Sequence, residues 1–228
     1  MRTWVEYMER PKLEDPTAVV ASPGLRSVGL VAVEYLIRKL KPTIFANLYS
    51  THFPVIYQTK PSYAPHPWLT GIVGVEVGEG GVELPKVEFY FMRSPNLVIT
   101  KGYQANFNGQ NEVAEKVLDL YEEIGVKAMI VLAGHGGGEG EVSCAATDIN
   151  IMKEMEKYGV GKEYVGPFYG FSGLVFGFGK LRGIKSISLF GRTEPNLEDP
   201  ESPDPSAARA VLRKLSSILN IQIDLSEL

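Results

Sequence analysis

A chain of 228 residues, 44% of them apolar, is long enough to bury one sizeable core. Its formal net charge of −4, from 23 basic and 27 acidic residues, argues against a nucleic-acid or anionic-membrane partner. A single cysteine, Cys144, excludes an intramolecular disulfide framework and fits a reducing compartment. The opening MRTWVEYMERPKLEDP lacks the apolar stretch of a signal peptide. No apolar run approaches the ~20 residues of a spanning helix, so a soluble, cytoplasmic protein is expected.

Thr17–Ala21 is continuously apolar and β-branched, which predicts a buried strand. Ser22-Pro23-Gly24 is a turn, and apolar residues at helical spacing from Val28 to Leu40 predict a helix that Pro42 stops. Thr43–Leu48 is a second strand. Ile72–Val77, the turn Gly78-Glu79-Gly80-Gly81 and Val82–Met92 predict an antiparallel hairpin, and Leu97 begins another strand. Gln110–Ile124 carries one apolar stripe and ends at Gly125, so it is a helix. Val126–Ala133 is the strongest buried strand of all.

Gly170–Leu181 is a glycine-laden helix, Ile184–Phe190 a strand, and Pro205–Leu219 an amphipathic helix that Asp204 can cap. The acid- and proline-dense Arg192–Asp204 segment is an exposed loop. This alternation predicts one α/β domain spanning 1–228, three-layered, with a mainly parallel sheet plus the antiparallel hairpin.

The stretch VLAGHGGGEGE, Val131 to Glu141, places five glycines within seven residues at the exit of the strongest strand. It is not a phosphate loop, because that pattern needs Gly-Lys followed by Ser or Thr. The nearby Gly179-Lys180 is followed by Leu181 and has Leu174 where the first glycine belongs. The dinucleotide fingerprint fails at Glu139. His135-Gly136-Gly137-Gly138 and Gly170-Phe171-Ser172-Gly173-Leu174 approach two hydrolase motifs. That mechanism needs a histidine after the serine, however, and the histidines are His52, His66 and His135. His135, Glu139, Glu141 and Cys144 carry donor atoms but no recognised metal spacing. The plain reading is a strand exit whose glycines supply positive φ.

Placement still favours a ligand-facing rim, since crevices in α/β sheets lie beyond the carboxyl ends of the strands. The pocket candidates are Ser22, Gly24, His135, Gly136, Glu139 and Arg192. In the glycine-laden helix, Gly170, Gly173 and Gly177 share one face at about 1 kcal/mol each against alanine. Close approach of another backbone, within the fold or across a subunit boundary, is the expected compensation. Tyr169, Gly170, Ser172, Gly173 and Gly177 are therefore packing or interface candidates, with Tyr169 and Ser172 able to face a pocket.

Ser22-Pro23-Gly24-Leu25-Arg26-Ser27-Val28-Gly29 resembles the P-G-x-x-x-V-G turn of the proteasome assembly chaperone 2 family. Tyr169 to Leu174, continuing through Gly177 to Ile184, resembles its glycine-rich helix and following strand. Gly191-Arg192-Thr193 and Asp204-Pro205-Ser206-Ala207-Ala208 resemble its last strand exit and C-terminal helix. The matches run in order from about residue 17 to 224. The resemblance implies a fold of the purine nucleoside phosphorylase type, homo-oligomers, and help in assembling proteasome α-subunits. Relatives that dock on the proteasome end in hydrophobic-Tyr-any residue, whereas this chain has Glu227 at the tyrosine position. Docking through such a tail is not expected.

Two readings follow. The leading one is a non-catalytic, homo-oligomeric, chaperone-like protein without cofactor or metal. The alternative is a small-molecule-binding protein or enzyme, of nucleoside, phosphate or ligase type. It requires His135, Glu139 and Arg192 to converge on one crevice.

Overall fold

The computed structural model describes residues 2–53, 56–57, 73–78, 80–104, 107–137, 139–160, 164–199 and 202–228. The strands in chain order are β1 (Thr3–Tyr7), β2 (Thr17–Ala21), β3 (Thr43–Ser50), β4 (Ile56–Tyr57), β5 (Val73–Gly74), β6 (Glu76–Gly78), β7 (Gly81–Glu83), β8 (Val87–Arg93), β9 (Asn96–Lys101), β10 (Ala128–Gly136), β11 (Val142–Ala146) and β12 (Lys185–Thr193). The helices are α1 (Val28–Leu40), α2 (Gln110–Glu123), α3 (Ile149–Met155), α4 (Gly170–Leu181) and α5 (Pro205–Leu219).

Eight strands form one sheet in the order β1-β3-β8-β9-β2-β10-β12-β11. Its centre, β9-β2-β10-β12, is parallel, and the flanking pairs are antiparallel. β2 is continuously apolar because both its faces are covered. Val19 and Ala21 pack with the core beneath α1 and α5, while Ala18 and Val20 join the opposite core with residues of α2 and α4. Helices on both faces of a sheet make the α/β architecture that the alternation predicts.

The predicted bounds of β2, α1, α4 and α5 coincide with those observed. The strand predicted over Val126–Ala133 starts two residues later and runs on through Gly136, because β12 pairs along its whole length. The Ile72–Met92 reading needs correction, with Ile72 itself outside the described residues. Gly78 and Gly81 pair across the expected turn, whose Glu79 also lies outside the described residues, but among the described residues the hairpin pairs Glu76–Gly78 with Gly81–Glu83 and no further. Pro85 then follows, which cannot donate to a ladder. Beyond it Val87, Phe89 and Phe91 bury into the main sheet as β8, whose hairpin partner is β9. β1, β11 and α3 were not predicted.

Polar ties fix the layers. Arg182, just past α4, reaches Asp119 at 2.9 Å, Glu122 at 3.4 Å and also Glu115, all on α2. The Tyr121 phenol of α2 donates to Thr100 Oγ1 of β9 at 2.7 Å inside the core. At the start of α5, Asp204 accepts from the Ala207 amide at 3.0 Å and from Thr193 Oγ1 at 2.6 Å, so the predicted cap is present. No helix among the described residues is long and apolar enough to cross a membrane.

Candidate functional site

A cleft of about 520 Å³ opens at the carboxyl ends of β2 and β10. One side is the turn that leaves β2. Ser22-Pro23-Gly24 leads into a single 3-10 turn, Leu25–Ser27, where Arg26 and Ser27 hold left-handed backbone at φ 48° and 49°. Such conformations are costly for residues with side chains. The Arg26 side chain offsets that cost by donating to the carbonyls of Ser202 (2.6 Å), Glu194 (2.9 Å) and Pro203 (3.2 Å). The floor is β10, which passes under this turn because Gly134 has no side chain. A Cβ there would lie 2.8 Å from the Leu25 carbonyl oxygen.

The opposite side is the first turn of α4. Ser172 Oγ lies 2.8 Å from Ser22 Oγ, both residues buried, and this bond ties the exit of β2 to α4. α4 begins at the cleft without a side-chain cap, so the amides of its first turn give the cleft partial positive character, whereas α1 continues from the 3-10 turn, where the Val28 amide bonds the Leu25 carbonyl.

The end wall is aromatic. Tyr164 stacks on Phe190 at 4.2 Å, and Phe168 meets Phe190 edge-on at 4.8 Å. His135 stands edge-on to Tyr164 and Phe190. Its Nε2 lies 3.2 Å from Ser143 Oγ of β11. The Tyr164 amide donates to the Cys144 carbonyl at 2.7 Å, which fastens an otherwise irregular segment to the sheet edge.

Of the sequence candidates, Ser22, Gly24, His135 and Gly136 line the cleft, together with Tyr169 and Ser172 of the helix set. Arg192 is level with His135 in the β10–β12 register, yet it opens on a neighbouring depression with Glu141, Glu194 and Asp204. Its guanidinium lies 3.6 Å from Glu194. Glu139 is exposed and lines neither cleft. The convergence of His135, Glu139 and Arg192 that the alternative reading needs is therefore not what the geometry gives. Gly137 takes φ +76°, as a strand exit requires, while Gly138 lies outside the described residues.

Gly173 packs closely within the fold. An added Cβ would lie 2.8 Å from the Phe168 carbonyl carbon, and closer still to its oxygen. Gly177 is different, for its added Cβ would meet nothing within 4 Å. Arg26, Ser143, Tyr164, Phe168 and Phe190 escaped the sequence reading. Phe190 alone carried a usable signal, being two residues before Arg192 and so on the same strand face.

The described lining brings together hydroxyls, one imidazole and aromatic rings, and within it no nucleophile is paired to a base. Ser22 bonds a second serine, and the serine beside His135 is Ser143, which lies outside the described lining. Among the described residues no three His, Cys, Asp or Glu side chains gather to hold a metal ion. The thiol of Cys144 is buried against Met152.

Relatives with this architecture are known. The chain is 32% identical to Pyrococcus furiosus PbaB, an archaeal proteasome activator, with a TM-score of 0.79 over 99% of this chain and 92% of that one. It shares its fold with Pyrococcus furiosus PbaA, an archaeal homolog of proteasome-assembly chaperone, at 23% identity. There the TM-score is 0.75 over 98% of this chain and 88% of the other. An uncharacterised protein of Methanocaldococcus jannaschii is 29% identical over 224 residues, 95% of this chain and 78% of that protein. The family model described as PAC2 matches residues 18–228, nearly the span over which the turn, the glycine-rich helix and the last strand exit carry the resemblance, and the chain belongs to the PAC2 family.

Proposed function

We propose that this protein acts on the proteasome as an assembly-chaperone-like factor, through protein–protein contact rather than turnover of a small substrate. The observation that carries the reading is the likeness to PbaB over almost the entire chain, within a family match that begins in β2 and runs to residue 228.

A surface feature supports it. The β6–β7 hairpin forms a two-stranded sheet of its own, in which Val77 pairs with Val82. Alternation puts Val75 and Leu84 on the same face. All four are exposed, Val77 by 80% and Val82 by 65%. A ribbon with one aliphatic face in water suits a partner surface, because isolated soluble proteins seldom leave such clusters uncovered.

The test is association with purified proteasome α-subunits by size-exclusion chromatography, together with the rate of α-ring assembly. Wild-type protein should co-migrate or accelerate assembly. The double variant Val77→Glu, Val82→Glu should lose association by about tenfold or more, equivalent to ~1.4 kcal/mol or more, without a lower Tm. No effect of the wild-type chain in either assay refutes the proposal. A homo-oligomer in the cytoplasm belongs to the same reading, and light scattering of the free protein measures the subunit number.

A further inference from the structure

We propose that the cleft at the ends of β2 and β10 binds a small organic anion. The oxyanion sits against His135 and the Ser22–Ser172 hydroxyl pair, and an apolar or ring-bearing body lies along Tyr164, Phe168 and Tyr169. The inference is independent of any role at the proteasome.

Charge is the first ground. The chain is acidic overall, yet no Asp or Glu is among the described lining residues. Carboxylates collect instead in the adjoining depression, as Glu141, Glu194 and Asp204. The cation at the cleft, Arg26, is committed to three backbone carbonyls. A polar cleft whose described lining holds no carboxylate, bordered by the start of α4, attracts an anion and disfavours a cation.

Proton accounting is the second. Ser143 is 5% exposed, and its hydroxyl has His135 Nε2 as its partner among the described residues. Were Nε2 the donor, the buried Ser143 proton would have no acceptor, an expensive arrangement. The hydroxyl therefore donates, which leaves the neutral imidazole protonated at Nδ1. Nδ1 has no partner among the described residues, and His135 lines the cleft, so the imidazole has an N–H to spare for a ligand there. Ser143 is in this sense a positioning residue.

The same count applies to the Ser22–Ser172 pair. Two hydroxyls carry two protons, and their 2.8 Å bond uses one. The other has at best the Pro23 carbonyl at 3.4 Å, the long limit of a hydrogen bond. Both serines are more than nine-tenths buried and both line the cleft. The lining of one cleft thus carries a spare O–H at the serine pair and a spare N–H on His135 for the oxygens of an anion.

The third ground is shape. At about 520 Å³ the cleft is of small-ligand size. Tyr169 stands 77% exposed at its border, an aromatic surface free to cover a bound ring.

Isothermal titration of the intact protein with phenyl phosphate, benzoate, inorganic phosphate and benzyl alcohol tests the proposal. Phenyl phosphate or benzoate should bind at least about tenfold tighter than benzyl alcohol, the scale of a charge-assisted hydrogen bond. Which of the two is tighter tells a phosphate head from a carboxylate. Inorganic phosphate should bind more weakly than phenyl phosphate, because it lacks the body that the aromatic wall holds. His135→Phe keeps a ring among Tyr164 and Phe190 but removes the N–H, and should weaken the tighter anion about tenfold. Ser143→Ala should weaken it by a smaller factor, through the tautomer, and Ser172→Ala should weaken it as well. Melting curves of each variant establish that it is folded. Equal binding of the anions and benzyl alcohol, no binding of any probe, or anion binding unchanged in folded His135→Phe and Ser172→Ala overturns the proposal.

Discussion

Alanine at Gly173 and alanine at Gly177 should move the stability of α4 in opposite directions relative to each other, although both sites lie on one helix. In a helix interior, Gly→Ala gains about 1 kcal/mol from the lower backbone entropy of the unfolded chain. At Gly177 nothing opposes that gain, since a Cβ there meets no atom within 4 Å. The expected result is a rise in Tm of about 2–4 °C, the usual scale for 1 kcal/mol in a chain of this length. At Gly173 the Cβ would lie 2.8 Å from the Phe168 carbonyl carbon and 3.3 Å from Phe168 Cγ, against comfortable carbon contacts of about 3.5–4.0 Å. The obstacle is backbone, so α4 and the 164–169 segment must part by up to about 1 Å, at a cost of about 1–3 kcal/mol. The propensity gain is common to both variants, so the gap between them is that cost. Thermal and urea melts followed by circular dichroism measure it. A Gly173→Ala protein as stable as Gly177→Ala would refute the claim that Gly173 exists for the close approach of Phe168.

Arg182→Met should destabilise by about 1 kcal/mol, since it removes the cation from a cluster of half-exposed carboxylates on α2. The loss should shrink in 1 M salt, as paired melts at two ionic strengths would show. Burial raises the Asp204 carboxyl, but hydrogen bonds from Thr193 and the Ala207 amide, with the Arg26 charge, outweigh it and hold the group below its usual value. Its contribution is therefore complete above the unfolded value of ~3.9 and is lost as pH falls through the lower folded value. Asp204→Ala should cost about 1 kcal/mol at pH 7, and denaturation curves of variant and wild type should converge as pH drops below ~3.9. Tyr121→Phe should cost about 1 kcal/mol by stranding the buried Thr100 hydroxyl. In that background Thr100→Val should cost less than it does alone, a coupling that a double-mutant cycle reads.

Elements with unambiguous punctuation were legible to the residue. α1 is closed by Lys41-Pro42, and α5 opens on Asp204-Pro205, where cap and first position act together. β11 was not legible, because Val-Ser-Cys-Ala-Ala has no strong strand former after its first residue, and pairing with β12 creates it. β1 is an edge strand whose Trp4 and Glu6 share a face, a weak pattern until β3 is beside it. At the cleft, Ser22, Gly24, His135 and Gly136 were found because strand exits gather at one end of a parallel sheet. Tyr164 and Phe168 belong to an irregular segment that a backbone bond to β11 and ring contacts with Phe190 bring in. Arg192 sits at the right level of the sheet, but Glu194 and the neighbouring depression hold its side chain. Register places a Cα, and the long side chain beyond it answers to charges that register does not encode.

The sheet order has a consequence for the growing polypeptide. β2 lies between β9 and β10 and touches no strand that precedes it. Thr17–Ala21 leaves the ribosome before its partners, which end at Lys101 and Leu132. At ~5–20 residues per second, on the order of ten seconds pass before both edges are occupied. Throughout that interval an apolar, β-branched pentapeptide is available to the wrong neighbour. Its flanks suit the hazard. Glu14, Asp15 and Pro16 stand immediately before it and Pro23 just after, charges and ring-locked residues of the kind that stop strands from stacking. The bordering residues are thus of the kind that keeps such a strand apart until β10 arrives, and Pro23 forms part of the cleft in the folded chain.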